Sequence, residues 1–578
     1  MKQFSLTVAL SAILGLGLAL AQDPPNSQYS PTVLLRNLKD PTSIAFRPDG
    51  KIYLTLKAGT ITLYDPVSKT STTAATLTTP HLREDGLHRI VVDPNFATNR
   101  WVYVYMSEIS PGDTANVVAR YQTDSVSGAL ITGSRATLLK VPYTMNSSTA
   151  EHNTGTLDFG PGGYLYVGLP DNTQNIFSGT GAGYAPRDTN RLLYDAQRSA
   201  ANTNDLRGKI LRIKPEANGT YSIPAGNLKD SINNLTFNPN WKTSEDDISK
   251  VRPEVFVMGL RHPFRITVDA QTGWLFWAEP GPNASADNAS QGPRGYEIVA
   301  LAKGPGNYGW PYCRANPNVI QKPGTVTGPF CYTEYNYSGA GTGGAMYVPT
   351  ALRNKSKNNT GIVNLPPMRP ASVWYPYNAT GTAFPIFGSG NGSNAGMLGP
   401  LYHYNASLPS SRLPAVFDNH LFVVEWNRNL LYVAKLDAAG GVQEVRAFRD
   451  VAGARDTVVN GPIDIKIGPD GALYFVNWGS STYPTNSGSP GSLVRLAYTG
   501  VQTAVSPQYH AAHLPTSRFE VLGSGMPIIL PAGAIGLECF DLKGSKVWSY
   551  RRTDATNIEN VQPPSGLNGV LRVRWIPE

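Results

Sequence analysis

The sequence predicts an all-β protein: a six-bladed β-propeller followed by a small C-terminal β-sandwich. Three observations carry that expectation. First, one phrase recurs along the chain: a hydrophobic pair, a Pro-Asp-Gly-like turn, then an alternating aromatic run. Second, the copies lie too far apart for a solenoid but suit blades that stack radially and leave only short, protected edges. Third, the 578-residue chain is low in charge (16%) and rich in Gly (57) and Pro (46), a profile of short strands and tight turns rather than helices.

The copies read SIAFRPDGKIYLTL at 43–56, RIVVDPNFATNRWVYVYM at 89–106 and TLDFGPGGYLYVGL at 156–169. They return as RITVDAQTGWLFWAE at 265–279 and DIKIGPDGALYFVNW at 464–478, with a looser copy, PAVFDNHLFVVEW, at 414–426. Each joins two period-2 hydrophobic runs through a Gly, Asp or Asn turn, which is a hairpin signal. A propeller gathers its blade-connecting loops at one mouth of a central channel, so chemistry is expected in loops just after these strands. Long insertions fall at 172–205, 215–250 and 312–400, and loops of that length are commonly functional.

Residues 1–21 read as a signal peptide, with Lys2 as the positive start, Leu6 to Leu20 apolar, and Ala19-Leu20-Ala21 as the small-x-small site. No later stretch approaches 18 apolar residues, so the mature chain is expected to lack a transmembrane segment and to be secreted, extracellular or periplasmic. The propeller is placed at 28–500. A polar linker follows at 501–517, then the short strands of 518–578. The net charge is +8, but the basic residues are scattered, without a Lys/Arg block or a basic helix. That pattern speaks against a nucleic-acid partner.

In an oxidising compartment Cys313 and Cys331 are expected to pair across RANPNVIQKPGTVTGPF. Closing such a loop contributes about 3 kcal/mol in the chain-entropy model. Cys539 reads as a buried apolar residue. Eleven Asn-x-Ser/Thr sequons between Asn146 and Asn405 mark loop surface that carries glycans in a glycosylating host.

The segments EDGLHRIVVDPNF, EHNTGTLDFGPGGYLYVGLPDNT, LRGKILRIKP, VMGLRHPF, EPGP…YEIVAL and GNYGWPYC occur in this order. Together they resemble the soluble quinoprotein glucose/sorbosone dehydrogenase family over residues 28–500. The resemblance implies a six-bladed propeller that binds pyrroloquinoline quinone (PQQ) and calcium and oxidises an aldose to its lactone. Electrons would pass to an external quinone or cytochrome. It implies His152 as general base for the anomeric hydroxyl, an imidazole being suited to proton transfer near neutral pH. Asp171 matches the carboxylate that orients the base, and a hairpin brings the two together. Arg261 matches the arginine that polarises the quinone carbonyl. Gly281 and Pro282 match backbone carbonyls that hold calcium, which takes several oxygens at about 2.4 Å. Glu297 and Tyr308 fall where a second, structural calcium is bound, although an insertion at 284–296 intervenes. Read without the resemblance, His152 with Asp171 is a cap beside a turn, and Gly281-Pro282 is simply a turn.

Three departures bear on the cofactor. Glu84 stands where the family often has Gln, and His262 follows the arginine where Asn is common. The lysine of the carboxylate clamp is replaced by Asn427, and its two arginines by Gly461 and Ile463. Arg428, Arg455 or a protonated His262 are the cations left to substitute. Leaving the carboxylates of PQQ unpaired would be costly.

The first functional expectation is therefore a secreted PQQ-dependent aldose dehydrogenase. The alternative is a non-catalytic carbohydrate-binding propeller, with Tyr332, Tyr335, Tyr337 and the run 374–377 as stacking platforms. A third, a hydrolase or lactonase, would draw on Glu84, Asp85 and Glu151. The segment 518–578 loosely resembles the β-sandwich sorting modules of exported proteins, which implies cell-surface attachment; an accessory carbohydrate-binding domain reads equally well.

Overall fold

The computed structural model describes residues 24–110, 112–145, 151–174, 183–316, 330–337, 342–388, 395–426, 428–448, 459–479 and 490–500, with strands between 520 and 577. The expected signal peptide, Asn427, Arg455 and the linker 501–517 lie outside the described residues. Two compact units divide the chain, Met1–Gln502 and Thr503–Glu578.

The first unit is a six-bladed β-propeller. Blade 1 is Pro41–Phe46, Ile52–Leu56, Thr60–Asp65 and Thr70–Thr76. Blade 2 is Leu87–Val92, Trp101–Ser110, Asp113–Thr123 and Leu130–Pro142. Blade 3 is Thr156–Gly160, Tyr164–Leu169, Lys209–Pro215 and Val255–Met258, with Gly306–Asn307 added in parallel at its edge. Blade 4 is Arg265–Val268, Leu275–Glu279, Tyr296–Ala302 and Val373–Pro376. Blade 5 is Gly396–Tyr402, His420–Glu425, Leu430–Leu436 and Val442–Ala447. Blade 6 is Pro462–Ile467, Leu473–Asn477 and Gly491–Tyr498, completed by the N-terminal strand Tyr29–Leu38 in antiparallel register, with Val33 opposite Val494.

The first strand of each blade lines the channel, and these inner strands contact one another around a closed ring. Closure by an N-terminal strand leaves no seam in the sheet array. Blade-to-blade packing is apolar: the second and third strands alternate buried residues such as Tyr103, Tyr105, Val167, Trp277 and Phe475 into the interfaces.

Five of the six expected hairpins pair as read, from Phe46–Ile52 through Ile467–Leu473. The sixth differs. Ala415–Phe417 is a 3-10 turn, and His420–Glu425 pairs instead with Gly396–Tyr402. The Asp418-Asn419 turn, with Asn419 at φ 55°, precedes the second strand rather than joining two adjacent ones.

The long insertions are folded. Cys313 and Cys331 are disulfide-bonded with Cα atoms 3.9 Å apart, and both are fully buried. Trp374 and Tyr375 lie in the outer strand of blade 4, Val373–Pro376, and Tyr377 follows it. Tyr375 is buried, stacks on Phe387 at 4.0 Å and donates to Glu425 Oε2 at 2.7 Å. Tyr332 is buried, and Tyr337 donates its hydroxyl to the Ala185 carbonyl at 3.1 Å, so these aromatics pack the insert. Among the described residues no helix is long and apolar enough to cross a membrane.

The second unit, by itself, holds a four-stranded sheet and a two-stranded sheet. The larger runs in the order Glu520–Leu522, Leu571–Pro577, Ala534–Phe540, Lys546–Arg551; the smaller pairs Ile528–Leu530 with Glu559–Val561.

Candidate functional site

In a four-stranded antiparallel blade, the start of the inner strand and the end of the second strand share one rim of the channel. His152 precedes the inner strand of blade 3, and Asp171 follows its second strand. Arg261 and His262 precede the inner strand of blade 4, Gly281 and Pro282 follow its second strand, and Glu84 precedes blade 2. One mouth thus collects residues from widely separated parts of the chain.

His152 is held in a strained turn at φ 47°, a conformation rare for a side-chain-bearing residue. Its neighbours fix that turn. Asn153 gives its backbone N–H to Glu84 Oε2 (2.8 Å), donates Nδ2 to Asp85 Oδ1 (2.6 Å) and accepts from Asn116 (2.7 Å). The chain then crosses the Tyr105 ring at Gly155, where a Cβ would sit 2.1 Å from the phenol; only glycine fits.

The His152 side chain is 4% exposed, and its Nδ1 lies 2.7 Å from Asp171 Oδ1. With Asp171 ionised, Nδ1 carries the proton and Nε2 remains an acceptor. Asp171 is fully buried. It takes the Thr173 backbone N–H (3.0 Å) and hydroxyl (2.9 Å) on Oδ1, and the Trp310 indole N–H (2.7 Å) on Oδ2. Burial alone would raise its pKa; the His152 charge and hydrogen bond, Arg261 and Trp310 outweigh it and hold the group at about 2.

Arg261 is buried on the same rim. Its guanidinium donates to the Pro280 carbonyl (3.3 Å), and its backbone N–H and that of His262 both donate to Glu279 Oε2 (2.8 and 2.9 Å). Arg314 in turn holds Glu279 Oε1 at 3.0 Å. His262 donates Nε2–H to the Thr154 carbonyl (3.0 Å), its ring 5.3 Å from that of His152. Burial, then the charges of His152 and Arg261, push its pKa well below the ordinary histidine value. His262 is neutral and does not supply the cation that the sequence reading offered.

His152 and Arg261 line one cleft together with Thr173, Gln174, Tyr184 and Pro282. Gln174 adds a buried amide nitrogen, Nε2, with no hydrogen-bond partner among the described residues. Burial raises the pKa of Glu84, the His152 charge opposing it.

The expected calcium residues are less gathered. Gly281 abuts Tyr296 so closely that a Cβ would lie 2.4 Å from its carbonyl oxygen. Glu297 spends Oε1 on the Gly281 N–H (3.0 Å) and Oε2 on the Gly396 N–H (3.2 Å). Tyr308 donates its hydroxyl to the Leu301 carbonyl at 2.7 Å. Among the described residues no group of three or more His, Cys, Asp or Glu side chains is placed to hold a metal ion.

At the clamp positions Gly461 gives its N–H to Asn429 Oδ1 (2.8 Å), and the carbonyl of the buried Ile463 accepts from Arg265 (2.9 Å). Arg428 donates to the Phe387 and Gly388 carbonyls.

Sequence reasoning missed Trp310, Thr173, Gln174 and Glu279. Thr173 and Gln174 follow Asp171 closely and were within reach of it. Trp310 lies in GNYGW, a motif legible only as a likeness. Glu279 was hidden as the last residue of a strand.

A Glucose / Sorbosone dehydrogenase family model matches residues 38–327, half of the chain. The chain is 29% identical over 214 residues to the HIPL1 protein of Arabidopsis thaliana, a match covering 35% of this chain and 24% of that protein. It is 24% identical over 281 residues to the Aldose sugar dehydrogenase YliI of Escherichia coli (strain K12), covering 48% and 61%. With the Quinoprotein glucose dehydrogenase B of Acinetobacter calcoaceticus it shares 25% over 316 residues, covering 53% and 57%. Each match spans less than two thirds of the relative's length. The solved structure of an oxidoreductase (glucose dehydrogenase) from Thermus thermophilus superposes with a TM-score of 0.50 at 20% identity, over 81% of this chain and 99% of that one, and so shares the fold. By the half of its length that the family model matches, the chain belongs to the Glucose / Sorbosone dehydrogenase family.

Proposed function

We propose that this chain is an exported sugar dehydrogenase of the PQQ type that oxidises an aldose at its anomeric carbon, with His152 as general base. The observation that carries the reading is the His152–Asp171 pair, 2.7 Å apart and lining one cleft with Arg261. An ionised Asp171 fixes the Nδ1–H tautomer and leaves Nε2 to take a hydroxyl proton. The buried Nε2 of Gln174, without a partner among the described residues, is a ready donor to a sugar oxygen.

The residues fit the reactive end of a quinone cofactor. Arg261 would hold its carbonyl, and the Gly281 and Pro282 carbonyls would hold calcium beside it. PQQ supplies, when bound, the acceptor for the sugar's hydride. Arg261 brings a fixed positive charge to the spot where that carbonyl gains electron density. The neutral His262 adds no second positive charge beside the base. At the far end Gly461 and Ile463 offer no charge, so a tricarboxylate is expected to bind more loosely than at a site with basic residues there. Electrons taken from the sugar would leave to an external quinone or cytochrome. Attachment of the chain to a surface through residues 518–578 belongs to the same proposal.

The uncharged clamp positions favour one second reading, a propeller that binds glycans without oxidising them. The deciding experiment is a titration of the cofactor-free protein with PQQ in the presence of calcium, followed by dye reduction over an aldose panel. Saturable binding and sugar-dependent reduction, abolished in His152→Ala, are expected. Glycan binding without reduction at high micromolar PQQ would replace the dehydrogenase reading with the second.

A further inference from the structure

Trp310 stands 139 residues from Asp171 in sequence, yet its indole N–H supplies the one donor found on Asp171 Oδ2 among the described residues (2.7 Å). The other three contacts, from His152 and from the Thr173 amide and hydroxyl, all fall on Oδ1. This asymmetry has a mechanical consequence. The terminal torsion of an aspartate is broad and roughly two-fold, and turning about it moves both oxygens together, so a donor on each oxygen resists that turn better than donors on one. Held at both, its plane is fixed, and the lone pair that aims the imidazole is fixed with it.

The indole is built to be such a stop. It is 1% exposed and packs edge-on against Tyr332, with centroids 6.1 Å apart at 85°. The guanidinium carbons of Arg261 and Arg314 lie over its ring at 6.0 and 5.7 Å. Arg314 also holds Glu279, which caps the backbone amides of Arg261 and His262. One rigid side chain therefore touches the base's orienting carboxylate through its edge and the arginine side of the site through its face.

We propose that Trp310 is a positioning residue for the His152–Asp171 pair: its N–H pins the Asp171 carboxylate plane and so keeps His152 with Nδ1–H toward Asp171 and Nε2 toward the cleft. The proposal rests on the reading of His152 as the base, but its test does not depend on turnover. Trp310→Phe keeps an aromatic ring and removes the donor. In full-length, cofactor-free protein carrying 15N-histidine, His152 Nδ1–H is expected as a low-field proton signal, assigned by its loss in His152→Asn. In Trp310→Phe that signal should broaden or vanish while the unfolding temperature stays close to wild type. In the reconstituted enzyme the same variant should lower kcat about ten-fold with KM unchanged, the pattern of lost alignment rather than lost binding. In an Asp171→Asn background it should have no further effect, because the two act as one unit.

An unchanged His152 signal in folded Trp310→Phe would overturn the proposal, and so would additive losses in the double variant. If Trp310→Phe does not fold, the Trp310 indole proton of wild type carries the test. It should lie at low field, exchange slowly and move upfield in Asp171→Asn, and an unmoved resonance would overturn the proposal. A wild type that reduces no dye with any sugar would sink the functional reading and leave the two resonance tests standing.

Discussion

Asp171 faces His152 with Oδ1 2.7 Å from Nδ1, and four donors converge on its buried carboxylate. Held at a pKa of about 2, it is ionised at every working pH. Asp171→Asn keeps the shape but can offer Nδ1 an amide in place of an anion, which favours the wrong tautomer. A fall in kcat/KM of about 10³-fold or more is expected, with sugar KM little changed. Dye-reduction kinetics check it; a loss confined to KM would reassign the pair to binding.

Gln174 has the opposite signature. Its backbone is tied to Leu193, whose carbonyl accepts the Gln174 N–H at 2.7 Å, while its side-chain nitrogen is buried beside the cleft without a partner among the described residues. A buried donor without a partner among the described residues is open to a ligand, and removing it is expected to cost binding. Gln174→Leu is expected to raise sugar KM about ten-fold, equivalent to one neutral hydrogen bond, with kcat within a factor of two or so of wild type. Steady-state kinetics with the best aldose decide it.

The ring of blades is tied through its centre. Arg89 of blade 2 gives one guanidinium nitrogen to Asp464 Oδ1 of blade 6 at 2.6 Å and its Nε to the Leu157 carbonyl of blade 3 at 3.0 Å. Asp464 Oδ2 takes the Ser43 hydroxyl and the Ile44 N–H of blade 1. Both ionic partners are about 2% exposed or less. Asp464→Ala strands the Arg89 charge in the interior, and a loss of about 3–5 kcal/mol is expected. A fall in the thermal midpoint measures it; Arg89→Met with Asp464→Leu should recover part of that loss, because the uncompensated charge is gone.

What the chain makes legible is what is local. The hairpin at 43–56 closes within a short turn, and His152 meets Asp171 because one such hairpin joins them. The blade 5 hairpin was misplaced because its true partner, Gly396–Tyr402, lies beyond the 3-10 turn at Ala415–Phe417. The Trp374-Tyr375 run reads equally as a sugar platform or as an edge strand; burial against Phe387 and Phe384 decides, and burial is set by distant segments. Trp310 escaped for the same reason: nothing near it in sequence announces a donor to Asp171.

Away from the candidate site, His403, just past the inner strand of blade 5, lies 2.7 Å from Asp269 Oδ1, just past the inner strand of blade 4, with Asp269 nearly buried and His403 19% exposed. The hydrogen bond to Asp269 raises the pKa of His403 above 6.5, against the opposing effect of burial. A group whose folded pKa lies above its unfolded value stabilises fully below the unfolded pKa and loses that contribution as pH rises through the folded one. Stability from this pair is therefore expected to be complete below about pH 6.5 and to decline on the alkaline side of it. His403→Gln keeps a donor but no titratable charge. The gap in thermal midpoint between wild type and His403→Gln should be widest near about pH 6 and shrink steadily toward about pH 9, read by parallel melts at constant ionic strength. A gap that is constant with pH would mean that the contact acts by packing alone, and a gap that widens on the alkaline side would reverse the sign of the linkage.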